Sequence, residues 1–322
     1  MSFLSVELCA GAGGQAIGLH NAGFVHEALV EIDPDACSTL STNGRRWGWT
    51  GRVHQEDLRT WMPDPGLRGV DLVAGGVPCP PFSIAGRQLG ADDERDLFPS
   101  LLSIVEQLVP RAVQVENVKG LLGRRFESYR ADIEQQFSDF GYVTGWRLLN
   151  ASDFGVPQLR PRTVLVALRP EDVVNFEWPE HAKAGRTVGQ TLLRSMRSGG
   201  WEEADAWAAQ AHGVAPTLVG GSKKHGGADL GPTRARQAWA KLGVDGLGVA
   251  DEVPGPGFSG QPKLTVQQAA LIQGFPAWWK IQGRKTSAYR QVGNAFPPAV
   301  AEAVGRAIRG AFEATDAKES AA

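Results

Sequence analysis

The sequence predicts an α/β protein built on a doubly wound, mostly parallel sheet, with a smaller irregular region and a returning C-terminal helix. Three observations predict it. Short runs of Val, Leu and Ala alternate with helical patterns through the first part of the chain, as in strands joined by crossover helices. A glycine-rich turn, Gly11-Ala-Gly13-Gly14, joins the first strand pattern to the first helical one, where backbone must turn tightly and can approach a ligand. The alternation stops near residue 173, beyond which Gly, Pro and Trp become frequent.

Residues 3–9 read as a strand and 14–22 as a helix; 25–31 and 34–43 repeat the unit, with Pro34 in the first helical turn, where its missing N–H costs nothing. Residues 53–55 and 70–74 are short strands, 97–108 a helix, 112–115 a strand and 129–140 a helix. Strands at 142–149 and 163–168 follow with little helix between them. The chain thus divides into residues 1–172, 173–283 and 284–322. The turn-rich Pro254-Gly255-Pro256-Gly257 marks a loop in the second part. In the third, residues 298–311 are amphipathic (Val300, Ala303, Val304, Ile308) and expected to pack back on the first part, while the tail from Thr315 to Ala322 is expected to fray.

The 322 residues are 42% hydrophobic and 21% charged, with net charge −2, ordinary values for a soluble chain. No apolar run is long enough to span a membrane, and the N-terminus lacks the basic start of a signal peptide, so a cytoplasmic location is expected. Cys9, Cys37 and Cys79 are odd in number and lack metal-ligand spacing, which argues against a disulfide framework and against a metal site. With so little net charge, a nucleic-acid surface would have to come from local basic clusters.

Acids fall at consecutive predicted strand ends. Glu7 precedes the first glycine by four positions, which suits a ligand bearing an ammonium group, such as the methionine part of S-adenosylmethionine, better than a pyrophosphate. Glu31 ends the second strand, where a carboxylate can accept both ribose hydroxyls. Asp57 follows the third, within reach of an adenine amino group. Each alone could be a solvated loop carboxylate; three in register are harder to place that way.

The stretch 70–83 runs from an apolar strand through Gly75-Gly76 into Pro78, Pro80 and Pro81 around Cys79. Proline fixes φ and biases its predecessor toward extended backbone, so Cys79 is held on a stiff spur past a strand end. A nucleophile suits that position; on this stretch alone, a proline-rich turn carrying a small apolar residue suits it equally. The strand at 112–115 leads into Glu116-Asn117, and strand ends of an open α/β sheet share one ligand-binding rim. In Gln158-Leu-Arg160-Pro-Arg162 the arginines alternate, which on an extended segment puts both on one face. They could serve a thiolate, a base carbonyl or a phosphate, or guard a strand edge. Residues 83–96 are polar with two glycines and read as a mobile loop over a substrate. Lys223-Lys224-His225 and Arg234-Ala-Arg236, set among glycines, suit a nucleic-acid groove as well as a solvated basic loop. Trp278-Trp279 reads as core.

Gly76-Val-Pro-Cys79-Pro-Pro-Phe-Ser83, Glu116-Asn-Val and Gln158-x-Arg-x-Arg, in that order after the glycine turn, are joined by Leu264-Thr-Val-Gln-Gln-Ala-Ala-Leu-Ile-Gln-Gly-Phe-Pro276 and Gln291-Val-Gly-Asn-Ala-Phe-Pro-Pro298. The set resembles the C5-cytosine-specific DNA methyltransferases of bacterial restriction–modification systems, over nearly the whole chain apart from about 173–261. The resemblance implies an S-adenosylmethionine-dependent, Rossmann-like catalytic and cofactor-binding domain at 1–172, a target-recognition domain at 173–283 and a C-terminal segment packing back. It implies a DNA (cytosine-5-)-methyltransferase that flips a cytosine out of double-stranded DNA and releases S-adenosylhomocysteine, without a metal. A cognate restriction endonuclease, not stably bound, and a monomeric state are also expected.

By the same resemblance, Cys79 is the nucleophile, Glu116 the proton donor to the base, and Arg162, supported by Arg160, the ligand of its O2, while Asn117 orders the Glu116 loop. Cofactor contacts are expected from Glu7, Cys9, Ala10, Gly11, Ala12, Gly13, Gly14, Glu31, Ile32, Asp57, Leu58, Pro78 and Asn294. The Gly293-Asn294 turn is expected to brace that pocket. DNA contacts are expected from Ser83, Arg87, Gln88, Lys223, Lys224, His225, Arg234 and Arg236. The chain departs from the family in having Cys9 where a Phe usually packs on the cofactor, and Pro80 where Gln often follows the nucleophile. An RNA cytosine methyltransferase, a non-catalytic DNA-binding protein and a small-molecule methyltransferase are the alternatives. The large second part favours DNA, and intact Cys79, Glu116 and Arg162 favour catalysis.

Overall fold

Each apolar run near the N-terminus is followed by a helix that carries the chain back to the same end of the sheet, so successive strands pair in parallel. The computed structural model describes residues 2–78, 96–180, 185–220 and 228–321. Its sheet contains β1 (Phe3–Leu8), β2 (Phe24–Glu31), β3 (Arg52–Gln55), β4 (Leu72–Gly75), β5 (Ala112–Val118), β6 (Val143–Asn150) and β7 (Pro161–Leu168). Their spatial order is β3-β2-β1-β4-β5-β7-β6. The first five strands pair in parallel, and β7 runs antiparallel to both β5 and β6. Winding reverses between β1 and β4, the point at which such sheets open a crevice for ligands.

Helices cover both faces. On one, α3 (Phe98–Leu108) and α4 (Glu127–Asp139) bury Leu101, Val105, Ile133 and Phe137 against Val6, Leu8, Val73 and Val113. On the other, α1 (Gly14–Asn21) and α11 (Pro298–Ala321) bury Leu19, Val300, Val304 and Ile308 against Leu72, Ala74, Val164 and Val166. A capped α2 (Pro34–Trp47) follows β2, with the Asp33 carboxylate accepting from the N–H groups of Asp35 and Ala36. A short α5 (Pro170–Val173) follows β7.

Beyond it the second region is helical rather than patternless, with α6 (Val188–Arg197), α7 (Ala204–Gln210), α8 (Thr233–Lys241) and α9 (Val266–Gln273), and α10 (Lys285–Asn294) opens the third. Capping boxes open α6 (Thr187 with Gln190) and α9 (Thr265 with Gln268). Leu192, Met196, Trp207, Trp239, Ile272, Trp279 and Tyr289 form its core, which continues into Ala12 and Ile17 of the first region. Trp279 is fully buried as read from the sequence, and Trp278 is half-buried. Gly293 and Asn294 close α10 rather than forming a free turn.

The C-terminal tail does not fray where expected. α11 continues to Ala321 because its last turns are tied down: Thr315 Oγ1 donates to the Glu171 carbonyl (3.1 Å), Asp316 pairs with Arg111 (2.7 Å), and Lys318 donates to Asn175 Oδ1 (2.5 Å).

α1 and α11 meet through two glycines one turn apart. A Cβ on Gly14 would lie 2.2 Å from the Phe296 carbonyl oxygen; one on Gly18 would lie 2.4 Å from the Pro298 carbonyl and 2.6 Å from both the Ala301 Cβ and the Glu302 nitrogen. The obstacles at Gly18 are backbone and Cβ atoms, which cannot swing aside. Gly18→Ala would gain about 1 kcal/mol in helix propensity, but forcing the added methyl into this contact costs roughly 1–3 kcal/mol. The denaturant midpoint of Gly18→Ala is expected to fall, and an unchanged or raised midpoint would show that the two helices can separate cheaply.

Candidate active site

The glycine turn lies at the reversal point. Ala10 N–H donates to the Val30 carbonyl and Gly13 N–H to the Ala10 carbonyl, both at 3.0 Å. Gly11 and Gly13 have φ of 54° and 82°, and Cys9, at 54°, is also in the left-handed region, a strained state for a residue with a Cβ. Among the described residues nothing lies within 4 Å of where a Gly11 Cβ would be, so they leave the turn open there. At Gly13 a Cβ would meet Leu40 and Trp279, each at 2.9 Å. Trp279 also donates its indole N–H to the Ala12 carbonyl (3.0 Å). The second region therefore holds the turn from behind, a brace that no local sequence pattern marks.

Glu7 is buried at the end of β1, near the Ala16 N–H in the first turn of α1. Its Oε2 is buried and has no hydrogen-bond partner among the described residues. Burial pushes the Glu7 pKa well above the carboxylate range, with the Ala16 N–H opposing and the Glu31 charge adding. Glu31, half-buried, accepts from Gly11 N–H and Asp33 N–H, both at 2.8 Å. A carboxylate offers about four lone-pair sites, so acceptor capacity remains on both oxygens. Asp57 is committed differently: Arg59 donates to it from Nε (3.0 Å), Nη2 (2.5 Å) and its backbone N–H (3.0 Å), which together hold its pKa below the usual range. Ile32 is 58% exposed and Leu58 is buried.

Neither described cysteine is set up as a nucleophile. Burial, followed by the charges of Glu31, Asp57 and Glu7, pushes the Cys9 thiol pKa up; burial and Glu31 raise Cys37 to about 12.

The second half of the rim is made by β5 and β7. Because β7 is reversed, its first residues lie beside the last residues of β5, with Val118 paired to Arg162 and Glu116 to Val164. Arg162 Nε lies 2.6 Å from Glu116 Oε1, and Arg162 Nη1 donates to the Pro161 carbonyl (2.9 Å). Burial raises the Glu116 pKa, opposed by the charges of Arg162 and Arg160. The Glu116 carboxyl lies over Gly76, where a Cβ would be 3.5 Å from Oε2. Asn117 Nδ2 donates to the Val77 carbonyl (3.0 Å), and Leu97 N–H donates to the Pro78 carbonyl (3.1 Å). The chain is thus fixed against the Glu116 strand up to Pro78, one residue before Cys79. Cys79 itself lies outside the described residues, as do Ser83, Arg87, Gln88, Lys223, Lys224 and His225.

Arg160 lies close enough to Arg162 and Glu116 for their charges to interact, but its hydrogen bonds are made elsewhere. It is fully buried, and its guanidinium donates to the carbonyls of Leu218 (2.7 Å), Gly293 (2.8 Å) and Ala295 (2.9 Å). Gln158 lies in the same network: its Nε2 donates to Gln273 Oε1 (2.6 Å), its Oε1 accepts from Leu218 N–H (2.8 Å), and Gln273 Nε2 donates to the Ala295 carbonyl (2.5 Å). These residues join the approach to β7 to α9, α10 and the second region. Asn294, exposed at the end of α10, lies against Gly220, where a Cβ would be 2.4 Å from its Oδ1. On α8, Arg234 is exposed and Arg236 is half-buried against Gly246, with Nη2 donating to Thr233 Oγ1 (3.3 Å).

A sheet of this order, with a glycine turn at its reversal point and an acid–guanidinium pair on the adjoining rim, defines a Rossmann-like α/β protein with a ligand crevice between β1 and β4. The comparisons with known proteins specify which kind. Residues 3–310 match the family model of the C-5 cytosine-specific DNA methylases, and the chain belongs to that family, the DNA (cytosine-5-)-methyltransferases. It is 57% identical over 311 residues to the Type II methyltransferase M.NaeI of Lentzea aerocolonigenes, covering 95% of this chain and 75% of that one. It is 48% identical over 312 residues to the Type II methyltransferase M.NgoMIV of Neisseria gonorrhoeae, covering 96% and 97%. Among solved structures it resembles a mutant of Spodoptera frugiperda DNMT2 (TM-score 0.64, 17% identity, 97% and 100% covered) and S. pombe Dnmt2 (TM-score 0.61, 17% identity, 94% and 97% covered). At that identity these two bear on the fold alone.

Arg160→Lys tests the buried network. One ammonium cannot reach all three carbonyls in the planar arrangement of a guanidinium, and each buried carbonyl left unpaired costs about 1–3 kcal/mol. Its thermal midpoint is expected to drop well below that of Arg162→Lys, whose parent side chain reaches the rim. Equal midpoints would remove Arg160 from this structural role.

Proposed function

We propose that the protein methylates C5 of a cytosine swung out of a short double-stranded DNA sequence, with S-adenosylmethionine as donor and a covalent Cys79–C6 adduct as intermediate. The observation that carries the reading is the Glu116–Arg162 pair at 2.6 Å, set beside the backbone that leads into Cys79. The fit of the cofactor rests on the open turn at Gly11, the orphaned buried Glu7 Oε2 and the remaining acceptor capacity of Glu31. Glu7, Glu31 and the turn from Cys9 to Gly14 would hold it, with Ile32, Asp57, Leu58, Pro78 and Asn294 around them. Bound there, S-adenosylmethionine supplies an electrophilic methyl group and leaves as S-adenosylhomocysteine.

The protein's own part is to make C5 nucleophilic, which an aromatic cytosine is not. The Cys79 thiolate adds to C6 while Glu116, whose pKa burial raises against the opposing charges of Arg162 and Arg160, gives a proton to N3. The electron pair released by this addition places enamine character on C5. Arg162 Nη2, which has no partner among the described residues, donates to O2 and stabilises the charge developing there. Arg160 acts through Arg162, by fixing the backbone from which it projects. After alkylation an ordered water removes the C5 proton, the sulfur departs as the C5–C6 double bond re-forms, and N3 returns its proton to Glu116. The base must leave the helix to reach Cys79, at a cost of a few kcal/mol.

The two relatives named Type II methyltransferases support assignment as the modification enzyme of a restriction–modification system. Among the described residues no helix is long and apolar enough to cross a membrane. A monomer acting on cytoplasmic DNA, without a stable nuclease complex, is the corresponding expectation.

Cys79→Ala is expected to lose methyl transfer while retaining S-adenosylmethionine binding by calorimetry. The parent protein is expected to form a denaturation-resistant adduct with duplex DNA containing 5-fluorocytosine; no adduct, with methylation intact, would overturn the covalent route. The pH profile tests Glu116. Its active form is the acid and its pKa is raised, so kcat should be sustained below that pKa and fall as pH rises through it. Glu116→Gln should lose most of kcat at every pH; a variant that kept both the rate and the descending limb would exclude Glu116 as the donor.

A further inference from the structure

Immediately after β5 the chain reads Lys119-Gly-Leu-Leu-Gly-Arg124-Arg125-Phe126 and folds into two 3₁₀ turns, Lys119–Leu122 and Arg124–Phe126. Leu121 and Phe126 point inward, at 0% and 2% exposure, and join the core under α3 and α4. Arg130 of α4 donates from Nη1 to the carbonyls of Leu121 (2.6 Å) and Gly123 (3.2 Å). The turns are therefore pinned by two apolar anchors and a guanidinium, and what they present outward is Lys119, Arg124 and Arg125, all exposed. Arg125 lies over the Phe126 ring, 4.9 Å from its centroid. Lys119 and Arg124 are not drawn into an ion pair among the described residues. The nearest acids in sequence are Glu116, which is paired with Arg162, and Glu127, exposed at the start of α4.

Three cations held on one rigid turn repel one another and add little to stability by themselves. Their placement gives them a use. Lys119 is three residues from Glu116, and Val118 between them is paired with Arg162. The cluster is thus continuous with the catalytic rim and reached from β5, not from the second region that carries Arg234 and Arg236. In a chain of net charge −2, a like-charged group at this position matches a polyanion running past the site.

We infer that Lys119 and Arg124, with Arg125 beside them, form a ridge that holds DNA phosphates next to the swung-out base, independently of base sequence. The inference rests on the double-stranded DNA reading above. Phosphate contacts position a duplex without reading it, so the ridge sets register and affinity while the second region is left to discriminate.

The test is binding of the full chain to a random-sequence duplex and to a methylatable duplex, by fluorescence anisotropy across a KCl series. Each phosphate contact contributes a slope of about −0.9 to log K against log salt. Lys119→Ala/Arg124→Ala is expected to flatten the slope by about 1.8. It should weaken binding to both duplexes by a similar factor and leave S-adenosylmethionine binding and kcat at saturating DNA unchanged. Lys119→Arg/Arg124→Lys, which keeps both charges, should restore the slope. Wild-type binding with an unaltered slope in the alanine double variant overturns the ridge alone. A wild-type chain that bound no duplex at low salt would overturn the DNA reading and the ridge together.

Discussion

The antiparallel pairing of β5 with β7 is the constraint on which the site depends. Had β7 run parallel to its neighbours, its first residues would lie at the far end of the sheet, and Arg162 could not meet Glu116. Reversal brings Arg162 opposite Val118, and the two side chains meet at 2.6 Å. The same reversal makes the segment leading into β7 cross from the rim to the second region, where Gln158 and Arg160 bond to Leu218, Gln273, Gly293 and Ala295. One strand direction therefore sets both the acid–guanidinium pair at the rim and the attachment of the second region.

Most of the sheet was legible in the sequence, because parallel strands buried on both faces give continuous apolar runs and their connecting helices give a different period. The direction of β7 was not. Hydrophobicity says that a strand is buried but not which way it runs, and little helix separates β6 from β7 to suggest a hairpin in place of a crossover. The helices of the second region were also missed; their start signals, Thr187 with Gln190 and Thr265 with Gln268, stand among residues whose composition suggested loops.

At the site, residue types were readable and their alliances less so. Alternation puts Arg160 and Arg162 on one face, but it gives no sign that Arg160 is wholly buried and bonded to three backbone carbonyls from distant parts of the chain. Asp57 was correctly placed at a strand end, but Arg59, two residues later, occupies both of its oxygens. Trp279 was read as core without any sign that its indole reaches the Ala12 carbonyl, since that contact spans 267 positions of sequence. Each of these depends on partners distant in sequence or on one local neighbour, and neither leaves a periodic trace.

The covering of the N-terminal sheet by α11 bears on how the molecule comes into being. Phe3 of the first strand stacks near Phe312 of the last helix, ring centroids 5.2 Å apart, and α1 packs through its glycines on residues just before and within α11. During synthesis, the sheet face that receives α11 emerges long before the helix does and must wait with its apolar side chains uncovered. Closure of so distant a contact is slow and comes late. The sheet face around Leu72, Ala74, Val164 and Val166 would thus stay without this cover until almost all of the sequence had left the ribosome.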